Sequence, residues 1–282
     1  MDGEGEEWSR LASSDGVAWL PLATPVPPLL ISLLSPHYDN LCPGFYLRFW
    51  NPATHSLSPK LGFFPNKYYQ RDVYDPRDFD FYSEISFGFG YHNLTNQYKV
   101  VAISPPNEVS VFTLGHNVWR TNIQTFPTPD PPLAFGVYVN ETLNWFAELP
   151  FAIISLHLGT HKYTHFQFPL DFGVPPRDAP TLCVLMGCLC FSHYSRLSNF
   201  VIWQMREFGV EDSWTKLFQF DHQSFGRYLS KLVPLHIFED GHTIILANQT
   251  GLLIHYNMRD NKLIQRTRIT NGITWFFFQP SC

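Results

Sequence analysis

The chain has 282 residues and a formal net charge of −5, from 19 Lys and Arg against 24 Asp and Glu. It is 45% hydrophobic and 17% aromatic but only 15% charged, which is too apolar for a disordered chain and lacks the clustered basic charge of a nucleic-acid footprint. No apolar run reaches the length of a membrane-crossing helix, and the N-terminus shows neither the basic nor the apolar part of a secretory signal.

Residues 1–12, MDGEGEEWSRLA, read as an acidic tail, and 13–282 as one β-rich domain, since single all-β folds commonly run past 200 residues. Short β-branched and aromatic runs recur along it, separated by Gly, Asn, Asp, Ser and Pro. The first is VAWL after Ser14-Asp15-Gly16, and the run ending in Phe49-Trp50 stops at Asn51-Pro52. Next comes 62–82, GFFPNKYYQRDVYDPRDFDFY, a long connection dense in Tyr, Phe, Arg and Asp. Tyr and Arg are enriched at protein–protein hot spots, and long loops on rigid scaffolds often carry function. Tyr68, Tyr69, Arg71, Tyr74 and Arg77 are therefore the candidate protein-binding residues. The plainer alternative is that these aromatics clad the flank of the fold.

Phe87-Gly88-Phe89-Gly90-Tyr91 has the look of a phosphate-binding glycine loop, but no helix and no Lys-Ser/Thr follows. Its glycines instead let crowded strands approach. His157, His161 and His165 are spaced four apart, yet Gly159-Thr160 reads as a hairpin turn between them, so they read as strand or surface histidines and not as a metal set. Cys188 and Cys190 share one face of a strand and, with no second pair at zinc spacing, read as buried thiols. Residues 200–205 and 214–220 form strands around a turn at Gly209 and Glu211-Asp212-Ser213. The last unit has four short strands, 233–238, 243–247, 252–257 and 262–268, joined by tight Asp-Gly and Asn-rich links. The 23 prolines cluster between such runs and interrupt any long helix; the best helical candidate, 223–232, is short.

Turn landmarks at Asn51, Asn117, Gly159, Ser213 and Asn261 recur at roughly 50-residue intervals. Four antiparallel strands per repeat, arranged in a ring, describe an all-β propeller. Five units are legible, so five or six blades are expected, with the strand at 273–278 available to pair near the N-terminus and close the ring.

Several ordered segments resemble one known family. They are Ser14-Asp15-Gly16 with VAWL, Phe49-Trp50-Asn51-Pro52-Ala53-Thr54, Phe87-Gly88-Phe89-Gly90-Tyr91 with Asn96-Gln97-Tyr98-Lys99-Val100-Val101, and Val111-Phe112-Thr113-Leu114 with Asn117-Val118-Trp119-Arg120. Gly136-Val137-Tyr138-Val139-Asn140 with Leu143-Asn144-Trp145, Ile153-Ile154-Ser155-Leu156, and FVIWQMREFGVEDSWTKLF at 200–218 continue the series. Together they are similar to the plant F-box-associated domain, the kelch-like substrate-recognition part of plant F-box proteins. Three positions depart from the family's usual residue: Glu141 for Gly, Asn144 for His and His157 for Asp.

The resemblance implies a kelch-like β-propeller of four-stranded blades and a non-catalytic protein-recognition role, as the substrate receptor of an SCF-type ubiquitin ligase. No F-box pattern precedes Asp15, so direct binding to the SCF adaptor is not expected, and the chain reads either as a recognition domain acting alone or as a truncated, non-functional family member. A propeller-fold enzyme or a small-molecule or sugar-binding propeller is the alternative from another class. No nucleophile context and no cofactor is indicated. The five cysteines, Cys42, Cys183, Cys188, Cys190 and Cys282, are expected to be reduced, with the chain in the nucleus or cytoplasm and an unknown target protein as its partner. Trp50, Trp119, Trp145, Trp203 and Trp214 are expected to pack between blades.

Overall fold

Period-2 runs of β-branched and aromatic residues give the described part of the chain twenty strands in five sheets, all paired antiparallel within each sheet. The computed structural model describes residues 30–34, 44–51, 54–65, 85–132, 134–169, 172, 179–195, 199–221, 232–248 and 251–268. The first sheet holds β1 (Leu30–Leu34), β2 (Gly44–Asn51), β3 (Ser56–Leu57) and β4 (Leu61–Pro65). Both β3 and β4 pair with β2, so they occupy one strand position between them. The second sheet is β5 (Ser86–His92), β6 (Gln97–Ser104), β7 (Glu108–Thr113) and β8 (Val118–Thr125). The third is β9 (Val137–Val139), β10 (Thr142–Ala147), β11 (Ala152–His157) and β12 (Tyr163–Phe166). The fourth is β13 (Thr181–Leu185), β14 (Cys188–Tyr194), β15 (Asn199–Met205) and β16 (Trp214–Asp221). The fifth is β17 (Val233–Ile237), β18 (Thr243–Ala247), β19 (Leu252–Asn257) and β20 (Lys262–Arg268).

Strands follow sequence order across each of the last four sheets, and their first strands, β5, β9, β13 and β17, lie side by side. The Gly136 N–H donates to the Phe87 carbonyl at 2.7 Å, and Gly88 and Gly136 make a parallel bridge from the second sheet to the third. Consecutive four-stranded meanders with their first strands set around a common centre make a β-propeller, the fold expected from the repeat. Every turn landmark falls in the same place, the hairpin that leads into the last strand position of its sheet. Asn117 and Asn261 occupy the left-handed region there, with φ of 56° and 51°, a conformation Asn tolerates better than most residues. The strand expected at 273–278 and the acidic tail at 1–12 lie outside the described residues, as does the helical candidate at 223–232 except for its last residue, Leu232. Among the described residues no helix is long and apolar enough to cross a membrane.

Blades pack through three apolar clusters, and tryptophans sit in them. Trp145 is fully buried and its indole N–H donates to Ser86 Oγ of the second sheet at 2.9 Å. Trp119 packs on Phe64 of the first sheet, ring centroids 4.7 Å apart, and donates to the Gly62 carbonyl at 2.7 Å. Trp214 donates to the Gln167 carbonyl at 3.2 Å, and Trp203 lies in the same cluster joining the third and fourth sheets. The side chain of Trp50, in β2, is outside the described set. Gly88 and Gly90 behave as the sequence suggests: a Cβ at Gly88 would stand 2.9 Å from Leu143 and Trp145, and one at Gly90 would run into Tyr138. The run 214–220 departs from simple alternation, because a bulge opposite Ile202 and Trp203 lets Leu217 and Phe218 both face apolar neighbours.

Candidate functional site

Each blade has one end where the first and third hairpins turn and another where blades are joined. The candidate residues Tyr68, Tyr69, Arg71, Tyr74 and Arg77 lie outside the described residues. The residues that bracket them, Pro65 closing β4 and Ile85 before β5, are at the joining end. What the described residues do form is a cleft at the opposite, hairpin end, between the third and fourth blades.

The cleft follows from period 2 in β10 and β11. Leu143 and Trp145 face the second sheet, so Thr142, Asn144 and Phe146 face the fourth. On that face Phe146, Ile153 and Phe166 join the apolar cluster, while the positions toward the hairpins are polar: Asn144 opposite Ser155, Thr142 opposite His157, and Ser155 opposite Thr164. The apolar seam between blades therefore ends in a polar cleft of about 320 Å³, lined by Ser155, His157, Thr164 and Phe166 of the third blade and by Phe208 of the fourth. Those rings meet edge to face at 5.5 Å.

The polar groups here are only partly satisfied. Thr142 Oγ1 donates to the Val139 carbonyl at 2.7 Å and accepts from Asn144 Nδ2 at 3.1 Å, and the same amide donates to the Val137 carbonyl at 3.0 Å. Asn144 Oδ1 and Ser155 Oγ are buried with no hydrogen-bond partner. Ser155, 2% exposed, lines the cleft. An unpaired buried hydroxyl costs about 1–3 kcal/mol, so such a group asks for a water or a ligand.

The rim is the β9–β10 turn. Asn140 and Glu141 both have positive φ, 50° and 60°, the geometry of a tight hairpin turn that favours Asn-Gly. The Glu141 carboxylate reaches toward the second sheet, accepting from Asn93 Nδ2 at 2.6 Å and lying 3.7 Å from His92 Nε2. Burial, with Lys99 adding, holds His92 below the ordinary histidine value, against the pull of Glu141. His157 Nδ1 accepts from the backbone N–H of Gly159 at 3.0 Å and Thr160 at 3.2 Å, the service an aspartate carboxylate gives in such a turn. Lys99 gives its ammonium to the Leu158 carbonyl at 2.7 Å. Burial also lowers His161, with the Lys99 charge adding.

Among the described residues no three His, Cys, Asp or Glu groups converge to hold a metal ion. Cys183, Cys188 and Cys190 are free thiols, and burial raises Cys183 well above its ordinary value and Cys190 to about 12. Cys42 and Cys282 lie outside the described residues. Sequence reasoning did not find the cleft. Its residues come from three strands of the third blade and from Phe208 of the fourth, with no shared motif in the sequence.

The fold defines the chain as a β-propeller protein. No protein-family model matches it. Its curated relatives are plant proteins: it is 30% identical to an F-box/kelch-repeat protein of Arabidopsis thaliana over 185 residues, covering 61% of this chain and 48% of that one. An F-box protein of the same plant is 26% identical over 246 residues, covering 77% of this chain and 59% of the relative. The Arabidopsis thaliana F-box protein CPR1 is 25% identical over 210 residues, covering 64% and 51%. The chain thus spans about half the length of the curated relatives it matches, and the similarity supports an F-box-associated kelch-like domain. Among solved structures, a chain of the mitotic checkpoint complex crystal structure aligns with 92% of this chain and 67% of its own, at a TM-score of 0.46 and 9% identity.

Proposed function

We propose that the chain is a non-catalytic protein-recognition domain, the target-holding part of an F-box protein in an SCF-type ubiquitin ligase. The observation that carries this is the run of F-box and F-box/kelch-repeat relatives along most of the chain. The architecture suits the role, since rigid blades can present variable turns and connections at either end. The connection containing Tyr68, Tyr69, Arg71, Tyr74 and Arg77 is one proposed contact surface, and the nucleus or cytoplasm is the proposed setting. The domain itself is proposed to begin at residue 13, after the acidic tail.

Proximity labelling in plant tissue with the tagged 282-residue chain tests the reading. We expect one or a few proteins to be enriched reproducibly, to bind the purified chain directly, and to gain half-life when the chain is overproduced as a competitor. A binding partner whose turnover ignores the chain would sink the ligase part; the lack of any directly binding protein would sink the recognition part. The purified 282-residue chain is expected not to bind the SCF adaptor in a pull-down.

A further inference from the structure

The hairpin that joins β15 to β16, residues 206–213, is the longest within-blade turn among the described residues, and its bonds make it a unit. The Ser213 hydroxyl accepts from the Glu207 N–H at 3.1 Å and donates to the Val210 carbonyl at 2.7 Å. The Val210 N–H donates to the Glu207 carbonyl at 3.1 Å, and the Ser213 N–H to the Val210 carbonyl at 3.0 Å. Bonds of such short sequence range hold their geometry without help from another blade.

The hairpin's hold on the third blade is slighter. Arg206, Glu207, Gly209, Val210, Glu211 and Asp212 are exposed, and no residue of 206–213 is buried. Two interactions reach across: the Phe208 ring meets Phe166 edge to face at 5.5 Å, and Glu211 Oε1 accepts the Gln167 backbone N–H at 2.6 Å at an exposed site. Phe208 borders the cleft of about 320 Å³, so on that side the hairpin faces open space and not packed core. The second and third blades, by contrast, are joined through buried groups, with the Trp145 indole donating to Ser86 Oγ and the Tyr138 hydroxyl to the Tyr91 carbonyl at 2.6 Å. A segment with few buried apolar contacts and exposed hydrogen bonds opens locally at far lower cost than the whole fold.

We propose that residues 206–213 form a strap across the seam between the third and fourth blades, which swings off the third blade as a unit while the propeller stays folded, with Glu211 as its fastening. Met205 and Trp214 at its two ends are buried and stay in place. The swing parts Phe208 from Phe166 and Glu211 from Gln167 together, so the cleft widens and the backbone donor just beyond β12 is freed. The strap sets access to the cleft whatever group enters it, and its motion does not depend on the reading of the chain as a protein-recognition domain. Glu211 is a positioning residue here, acting through the hairpin that carries Phe208.

Native-state hydrogen exchange on the full chain, read by NMR at single amides, tests the strap. The Gln167 amide should exchange at least about 100-fold faster than those of Ile153 and Ile154 in β11, at a rate insensitive to low urea, because a swing exposes little surface. Phe208→Ala leaves the Glu211–Gln167 pair in place and should nonetheless speed Gln167 exchange about fivefold, since both contacts break in one motion. Phe208→Leu serves the same purpose should alanine lower the melting temperature. Glu211→Ala should speed Gln167 exchange about tenfold or more with an unchanged melting curve, and Glu211→Gln, which keeps an acceptor, should restore most of the protection. The Ser213 amide, bonded within the hairpin, should keep its protection in every variant. Exchange of Gln167 at the rate and urea dependence of global unfolding would overturn the proposal. So would acceleration by Glu211→Ala but by neither Phe208 variant, since the contacts then break singly, and so would loss of Ser213 protection together with Gln167, since the hairpin then unravels and does not swing.

Discussion

At the scale of single residues, His193 shows how a buried group ties folding to pH. It is 9% exposed, its Nε2 accepts the Trp203 indole N–H at 3.3 Å, and its ring lies 4.5 Å from that of Phe172. Burial drives its pKa from 6.5 down to about 4, with the Lys216 charge adding. The folded state therefore prefers the neutral ring, and the unfolded chain takes up the proton first. The stabilisation is complete above pH 6.5 and is lost as pH falls toward about 4. His92 and His161 are lowered too and act with the same sign. Urea unfolding at pH 7.5 and pH 4.5 should show a loss to which His193 contributes about 2 kcal/mol. His193→Gln should flatten the dependence by that amount; an unchanged slope would show that His193 titrates normally. Glu141 gives a second residue-scale outcome. It holds φ of 60° where glycine is favoured, so Glu141→Gly should relieve about 1 kcal/mol of backbone strain and raise Tm by about 2 °C.

At the scale of elements, the glycines of β5 show why local patterns carry so much of this fold. Gly88 lies where the second blade meets the third, and a methyl group there would press on Leu143 and Trp145 at 2.9 Å. Both neighbours are fully buried, so neither can swing away. Gly88→Ala should cost about 1–3 kcal/mol in denaturant unfolding, whereas Gly187→Ala, with open space around it but φ of 74°, should show only the smaller strain of a left-handed turn. Equal losses at the two sites would mean that the blades do not approach as closely as described. The FGFGY run, the Asn-bearing hairpins and the four strands of the last blade were legible because each is set by neighbours in sequence: pleat alternation, turn residues and close approach. The strand expected over 233–238 is β17, one residue shorter. The bulge at Leu217 was not legible, since two apolar residues in succession do not say which partner strand will skip a residue. The cleft was hidden for the same reason. Thr142, Ser155 and Thr164 come from three strands, and nothing in the sequence shows that their shared face meets Phe208 of another blade.

At the scale of the molecule, packing between blades and the proposed contact surface are read by different variants. Trp119, Trp145, Trp203 and Trp214 lie between blades, so their truncation acts through packing: Trp145→Ala empties a fully buried site and leaves Ser86 without its donor. We expect a loss of about 3–5 kcal/mol and a Tm lower by about 6–12 °C. Alanine at Tyr69 or Arg71, in the connection between β4 and β5, should leave Tm within about 2 °C and weaken the captured target by about 2 kcal/mol, near 30-fold, if that connection is a hot spot. If the loop variants melt the fold as Trp145→Ala does, the connection is cladding and the proposed contact surface is wrong.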